Sequence, residues 1–208
     1  MFYMILSRLS KGHNDMEENK KSIKEKLEDM FELKIQDIGV LMLAIMVLSA
    51  IFGYIYEVIF YKIDLGVFVN RGTTFGPWIP IYGFGGIFIT LIAYKLKHDP
   101  FYVFFTSCLI SGVMEFGTGF VLHKLFNTRL WDYNVEIWNW GNIGGYICAR
   151  SVLFFGASGV FLIYFLVPKV KQLREKIVSK YGVKAFNIPT IAISSIFLID
   201  FMINIIIK

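Results

Sequence analysis

The chain reads as an all-α protein, a polytopic membrane helix bundle of about five transmembrane helices preceded by an N-terminal amphipathic helix. Three observations predict this. Of its 208 residues, 56% are hydrophobic and only 18% charged, whereas ordinary soluble domains carry about a quarter charged. The apolar residues gather into five runs, each close to the ~20 residues that a helix needs to cross the hydrocarbon core. Lys and Arg concentrate in alternate connections between those runs, as the positive-inside rule describes. This composition excludes a disordered chain and argues against a soluble globular enzyme. The formal net charge of +5 lies outside the apolar runs and is not interleaved with base-stacking aromatics. The expected partner is therefore the lipid bilayer, not nucleic acid.

The first element is a charged segment, residues 1–37. Met1 to Ser10 opens with an apolar run shorter than the h-region of a signal peptide, and no small-residue cleavage site follows. Either this stretch touches the membrane interface or the true start is Met16. Beyond it, Ser22-Ile-Lys-Glu25 forms a capping-box pattern. Ile23, Leu27, Met30 and Phe31 then recur at helical spacing, so the segment reads as an amphipathic helix against the membrane or a partner.

The five-span domain, 38–208, comes next. Its spans are expected near Ile38 to Phe60, Gly76 to Tyr94, Phe101 to Leu122, Ile143 to Val167 and Phe186 to Ile207. Pro77 and Pro80 open the second, and Gly83, Gly85 and Gly86 interrupt it. Such a pattern suits close helix approach or a broken helix. Counting Lys and Arg orients the bundle. Seven lie in the N-terminal segment and six from Lys169 to Lys184, so a cytoplasmic N-terminus puts most of the basic residues inside. That orientation also brings Trp78, Trp131, Trp138 and Trp140 to the outer interface. The expected location is the plasma membrane, multi-pass.

Charged residues inside the spans are the candidate functional groups. Glu57, Glu115 and Asp200 fall at membrane depth towards the outer side, with Arg150 near the outer end of span four. One charge at that depth costs about 2.5–3.5 kcal/mol on insertion scales, so it normally faces the bundle interior with a partner. A single shared polar cluster is the expected arrangement. Arg150 and Arg71 are the expected partners, because guanidinium stays ionised and binds carboxylates through a fork of donors. Such a cluster is either a substrate or ion site or a set of salt bridges holding the helices in register.

The outer connections are expected to be structured. Asn70-Arg71-Gly72 leads into the turn-rich Gly76-Pro77-Trp78-Ile79-Pro80. Trp131-Asp132-Tyr133-Asn134 and Trp138-Asn139-Trp140-Gly141-Asn142 form a second loop with four ring systems, expected to dip into the interface or pack over the bundle mouth. Asp132 either caps a turn or pairs with Arg129. Asn139 and Asn142 are expected to bond unwound backbone. The fourth connection, 168–184, is basic and amphipathic; it suits membrane adhesion or a cytoplasmic docking surface.

No GxxxxGK[ST], HExxH or GxSxG motif occurs, so the chain carries no P-loop ATPase or familiar hydrolase signature. His13, His98 and His123 are dispersed, and Cys108 and Cys148 have no metal-binding spacing. No cofactor and no metal are expected.

The run from Phe68 to Gly86, containing Asn70-Arg71-Gly72, Gly76-Pro77 and Pro80-Ile-Tyr82-Gly83, resembles the putative ABC-transporter type IV, or CmpB-like, family. So do Gly53-Tyr-Ile-Tyr-Glu57 before it and Trp131-Asp132-Tyr133 followed by Asn142-Ile-Gly-Gly after it. The resemblance covers residues 40 to 170 and leaves out the fifth span. It implies a permease-like membrane protein and carries over Glu57, Asn70, Arg71, Gly72, Gly76, Pro77, Pro80, Tyr82, Gly83, Glu115, Trp131, Asp132 and Asn142. With the depth argument, it nominates Glu57, Asn70, Arg71, Tyr82, Glu115, Asp132, Asn142 and Arg150 as substrate contacts. Gly72, Gly76, Pro77, Pro80 and Gly83 are nominated as loop-forming. A transport component of this kind would need a separate nucleotide-binding subunit at the inner basic segment, 168–184. So few spans also suggest a homodimer. Two alternatives stay open: a membrane-embedded enzyme or cell-envelope factor using an intramembrane carboxylate as general base, and a non-catalytic scaffold.

Overall fold

Helices account for nearly all the regular structure in a computed structural model of the chain, which describes residues 20–207. The stretch Met1 to Met16 lies outside the described residues. The chain divides into two compact units between Val40 and Leu41. In the first, a helix over 20–31 (α1) includes Ser22, so the expected capping box lies inside the helix and not at its start. Of the expected apolar face, Phe31 is fully buried and Ile23 is exposed. Glu32 turns the chain with a positive φ. The Glu28 carboxylate then accepts the Ile35 N–H at 2.8 Å, satisfying a free donor at the start of the next helix.

That helix, α2 (Ile35–Leu65), is about 46 Å long at 1.5 Å per residue. From Leu41 onward it belongs to the second unit, together with α3 (Pro80–Ala93), a 3₁₀ turn (Tyr94–Leu96), α4 (Pro100–Phe126), α5 (Ala149–Phe161), α6 (Val167–Tyr181) and α7 (Val183–Ile207). A π-helical turn, Leu162–Leu166, joins α5 to α6 without a break. No strand forms among the described residues; Ile143 and Ile147 make an isolated antiparallel bridge. Four helices are long and apolar enough to cross a membrane: α2, α4, α5 through α6, and α7. The fifth, α3 with its 3₁₀ turn, is apolar but shorter.

The boundaries differ from the sequence reading for local reasons. The second span starts at Pro80, not Gly76, because residues 72–78 are held as a turn. Thr74 Oγ1 donates to the Trp78 carbonyl at 2.6 Å, and Pro80 then occupies the first helical position, where its missing N–H costs nothing. The fourth span starts at Ala149, not Ile143, because the preceding residues bridge back on themselves. The basic stretch after Pro168 is not a connection but α6, a continuation of the same helix. Arg174 is buried in it. Asp99 caps α4 by accepting the Phe101 N–H at 2.8 Å, and Asn127 ends it in the left-handed region.

Burial in α4 is the reverse of that in a soluble helix. Val103, Ser107, Ser111 and Glu115, four apart, are buried, while Phe101, Phe105, Leu109 and Val113 are exposed. A lipid solvent explains both stripes, since apolar groups gain little by leaving hydrocarbon and small or polar ones pack helix to helix. Glycines bring the helices together. A Cβ at Gly83 of α3 would lie 2.9 Å from the Met46 carbonyl oxygen of α2, and one at Gly86 would strike Ser49. Gly156 and Gly159 of α5 likewise leave room for Cys108 and Ser107 of α4. A core of Met46, Val47, Ala50 and Phe197 ties α2 to α7, with Trp78 and Phe84 packed on it.

Candidate functional site

The close approach of α3 to α2 decides where the polar groups meet. The Tyr82 ring lies over Gly53, at which any side chain would collide with it. From there Tyr82 faces Phe155 of α5, ring centroids 5.0 Å apart, and Tyr56 of α2 at 6.4 Å. Tyr56 in turn stacks on Phe154. These rings frame a cavity of about 40 Å³ at the end of the bundle where α2 and α4 finish and α5 begins. Glu57, Arg71, Glu115, Glu136 and Arg150 all line it.

The charges form one network. Arg71 Nε donates to Glu57 Oε2 at 3.1 Å, and its guanidinium lies 3.7 Å above the Tyr61 ring. The Tyr61 hydroxyl donates to Glu136, and Glu136 accepts from Arg150 Nη2 at 2.8 Å. Arg150 packs over the Phe60 ring at 4.1 Å. Its Nε is buried without an acceptor among the described residues. Glu115 accepts the Tyr133 hydroxyl and, at 2.8 Å, the Ser151 hydroxyl. Burial, reinforced by Glu115, pushes the Tyr133 phenol well above its usual range, so it serves as a proton-bearing donor. Arg150 sits in the first turn of α5, where the helix dipole disfavours a cation; Glu136 offsets this.

Glu136 and Tyr133 come from the 127–148 segment, whose own polar network folds it over the cavity mouth. Arg129 pairs with Asp132 at 3.0 Å, and Asp132 also accepts the Asn134 N–H at 3.0 Å. Both roles foreseen for Asp132 thus occur together. Asn142 donates to Asn134 Oδ1 at 2.8 Å and accepts the Gly145 N–H at 2.9 Å. Trp131 Nε1 donates to the Tyr146 carbonyl, and Asp64 at the end of α2 accepts the Ile137 N–H.

Of the nominated contacts, Glu57, Arg71, Tyr82, Glu115 and Arg150 line the cavity. Asn70 lies apart, accepting from the Tyr54 hydroxyl at 3.0 Å. Asp132 and Asn142 shape the overlying segment without lining the cavity. Asp200 does not join the cluster. Its carboxylate accepts from Phe75 N, Gly76 N and Trp78 Nε1 at 3.0, 2.8 and 2.8 Å and from Asn204 Nδ2 at 2.9 Å, so two backbone N–H groups, an indole and an amide satisfy it, not an arginine. Gly72 takes φ +84 in that turn; Gly76 and Pro77 complete it, Pro80 starts α3, and Gly83 seats α3 on α2. Sequence reasoning missed Glu136, Tyr133, Tyr61 and Ser151. The clue was the aromatic segment expected over the mouth, which carries Glu136 among its rings. No group of three or more potential metal ligands occurs among the described residues.

A second cavity, about 50 Å³ and almost wholly apolar, adjoins the first between α3 and α5. Gly85, Gly86, Ser158, Gly159 and Leu162 line it, the last from the π-turn. Ile81, Tyr82, Glu115 and Phe155 border both cavities.

Apolar membrane-length helices enclosing a charged cavity define a multi-pass helical membrane protein. The chain belongs to the family described as putative ABC-transporter type IV, whose model matches residues 44–205. The match extends past residue 170, so most of α7, with Asp200, falls within it. No curated protein and no solved structure matches the chain.

Proposed function

We propose that the chain is the membrane-embedded component of an ABC-type transport system and receives a small polar solute in the charged cavity. One observation carries this reading: ionisable side chains of α2, α4 and α5 converge on a single cavity. Isolated structural charges could each have been satisfied by neutral donors, as Asp200 is. Energy would come from a separate nucleotide-binding subunit docked on the basic segment 168–184. A cytoplasmic N-terminus puts that segment on the cytoplasmic side of the plasma membrane and the cavity near the outer side. A homodimer would supply the helices that one chain lacks for enclosing a pathway.

The test compares solute accumulation in cells expressing the wild type, Glu57→Gln or Arg71→Ala at equal membrane abundance. A solute gradient present with the wild type and lost in both variants is expected. Unchanged accumulation in both would refute the reading. Copurification of a nucleotide-binding subunit, weakened by charge removal in α6, tests the partner.

The scaffold alternative draws on the pairing of both arginines within the chain. It expects Glu57→Gln to lower the yield of folded protein and leave accumulation per folded molecule unchanged.

A further inference from the structure

We propose that the two adjoining cavities bind a small amphipathic monocation, with its ammonium group on Glu115 and its apolar part between α3 and α5. This rests on the transport reading above and names the substrate class for the same site. The first argument is the charge count. Three carboxylates, Glu57, Glu115 and Glu136, meet two guanidinium groups, Arg71 and Arg150. Each guanidinium is already in an ion pair, Arg71 with Glu57 and Arg150 with Glu136. Glu115, only 4% exposed, accepts among the described residues from hydroxyls alone, Tyr133 and Ser151.

Two neutral hydroxyls do not cancel the negative charge of a buried carboxylate; a bound proton does, and so does a bound cation. The pattern also leaves room for one. A carboxylate has about four lone-pair sites, and Glu115 uses one on each oxygen. An anionic solute would instead add a fourth negative charge beside two arginines that are already engaged.

The second argument is position. Glu115 borders both cavities, the charged one and the apolar one. Tyr82 and Phe155 border them with it, and aromatic faces attract a cation. An ammonium at Glu115 therefore has a path for its hydrocarbon part into the space beside Gly85, Gly86 and Ser158.

The third argument is size. The cavities measure about 50 and 40 Å³, and one water-sized group needs about 10–15 Å³. Each cavity thus has room for about three to five water-sized groups, which suits a short alkylammonium and not a lipid.

Isothermal titration of the purified full chain in detergent with butylammonium, butanol and butyrate tests the charge preference at constant tail length. Butylammonium should bind at least tenfold more tightly than either of the others, and Glu115→Gln should remove that preference. Ser158→Leu, which fills the apolar cavity, should weaken butylammonium more than methylammonium. Butyrate binding more tightly than butylammonium overturns the proposal. So does no amine binding by the wild type, the result expected if a proton alone occupies Glu115, and so does undiminished binding by folded Glu115→Gln. If that variant does not fold, the wild-type series decides. Accumulation lost in Glu57→Gln and Arg71→Ala with no amine binding sinks the cation assignment and spares transport; amine binding without any solute flux does the opposite.

Discussion

Replacing Glu136 by Ala tests whether the cavity network is held by charge. Arg150 and Glu136 are 13% and 6% exposed at their side chains, so water cannot take over the role of the missing partner. Breaking a buried pair from one side costs about 3–5 kcal/mol, because the remaining charge is stranded. Here the stranded cation also sits in the first turn of α5, a location that the helix dipole disfavours by about 0.3–1 kcal/mol. The Tyr61 hydroxyl loses its acceptor as well. For a domain of this size each kcal/mol moves the midpoint by about 2–4 °C, so a fall of about 6 to 20 °C is expected. Thermal unfolding in detergent, followed by tryptophan fluorescence, measures it. The double variant Glu136→Leu with Arg150→Met should recover most of the loss, since an apolar pair of similar volume leaves no buried charge. A drop below about 3 °C in Glu136→Ala, or a double variant worse than the single one, would refute the reasoning.

Two further outcomes are expected. Asp200→Ala removes the acceptor for Phe75 N, Gly76 N and Trp78 Nε1. At about 1–3 kcal/mol per stranded donor, it should cost at least about 3 kcal/mol and expose Trp78 to a soluble quencher; unchanged quenching contradicts that role. Tyr133 has its phenol pKa raised in the folded protein, so its contribution to stability is complete below the unfolded value near 10 and declines as pH rises beyond it. Tyr133→Phe should therefore flatten the alkaline loss of stability seen in urea titrations, and an identical slope in both proteins would contradict this.

The class of fold was legible because bilayer crossing makes a strong local demand: about 20 apolar residues in a row. The runs around α2, α4 and α7 met it nearly from end to end. The second run misled about its start because the Asp200 carboxylate, over 120 residues away, holds residues 75–78 as a turn. The fourth misled at both ends. Residues 143–148 bridge back on themselves, and helical spacing in the basic stretch cannot by itself distinguish a separate surface helix from a continuation of the span before it.

The site was half legible for a related reason. Glu57, Arg71, Glu115 and Arg150 stand out because a charge at membrane depth needs a partner, and that demand is local to each residue. Which partner it finds is not local. Asp200 has the same sequence signature as Glu115, yet it binds the 75–78 turn and Asn204 instead of joining the cavity. Glu136, in a loop outside the apolar runs, carries no such signature, yet it is the one that meets Arg150. The sequence by itself determined that the chain spans a membrane with ionisable groups at depth, since hydrophobic length and charge are properties of consecutive residues. Only the tertiary structure decided which charges share a cavity, because that depends on how closely Gly83 and Gly86 let α3 approach α2 and on how the 127–148 segment folds back over the bundle.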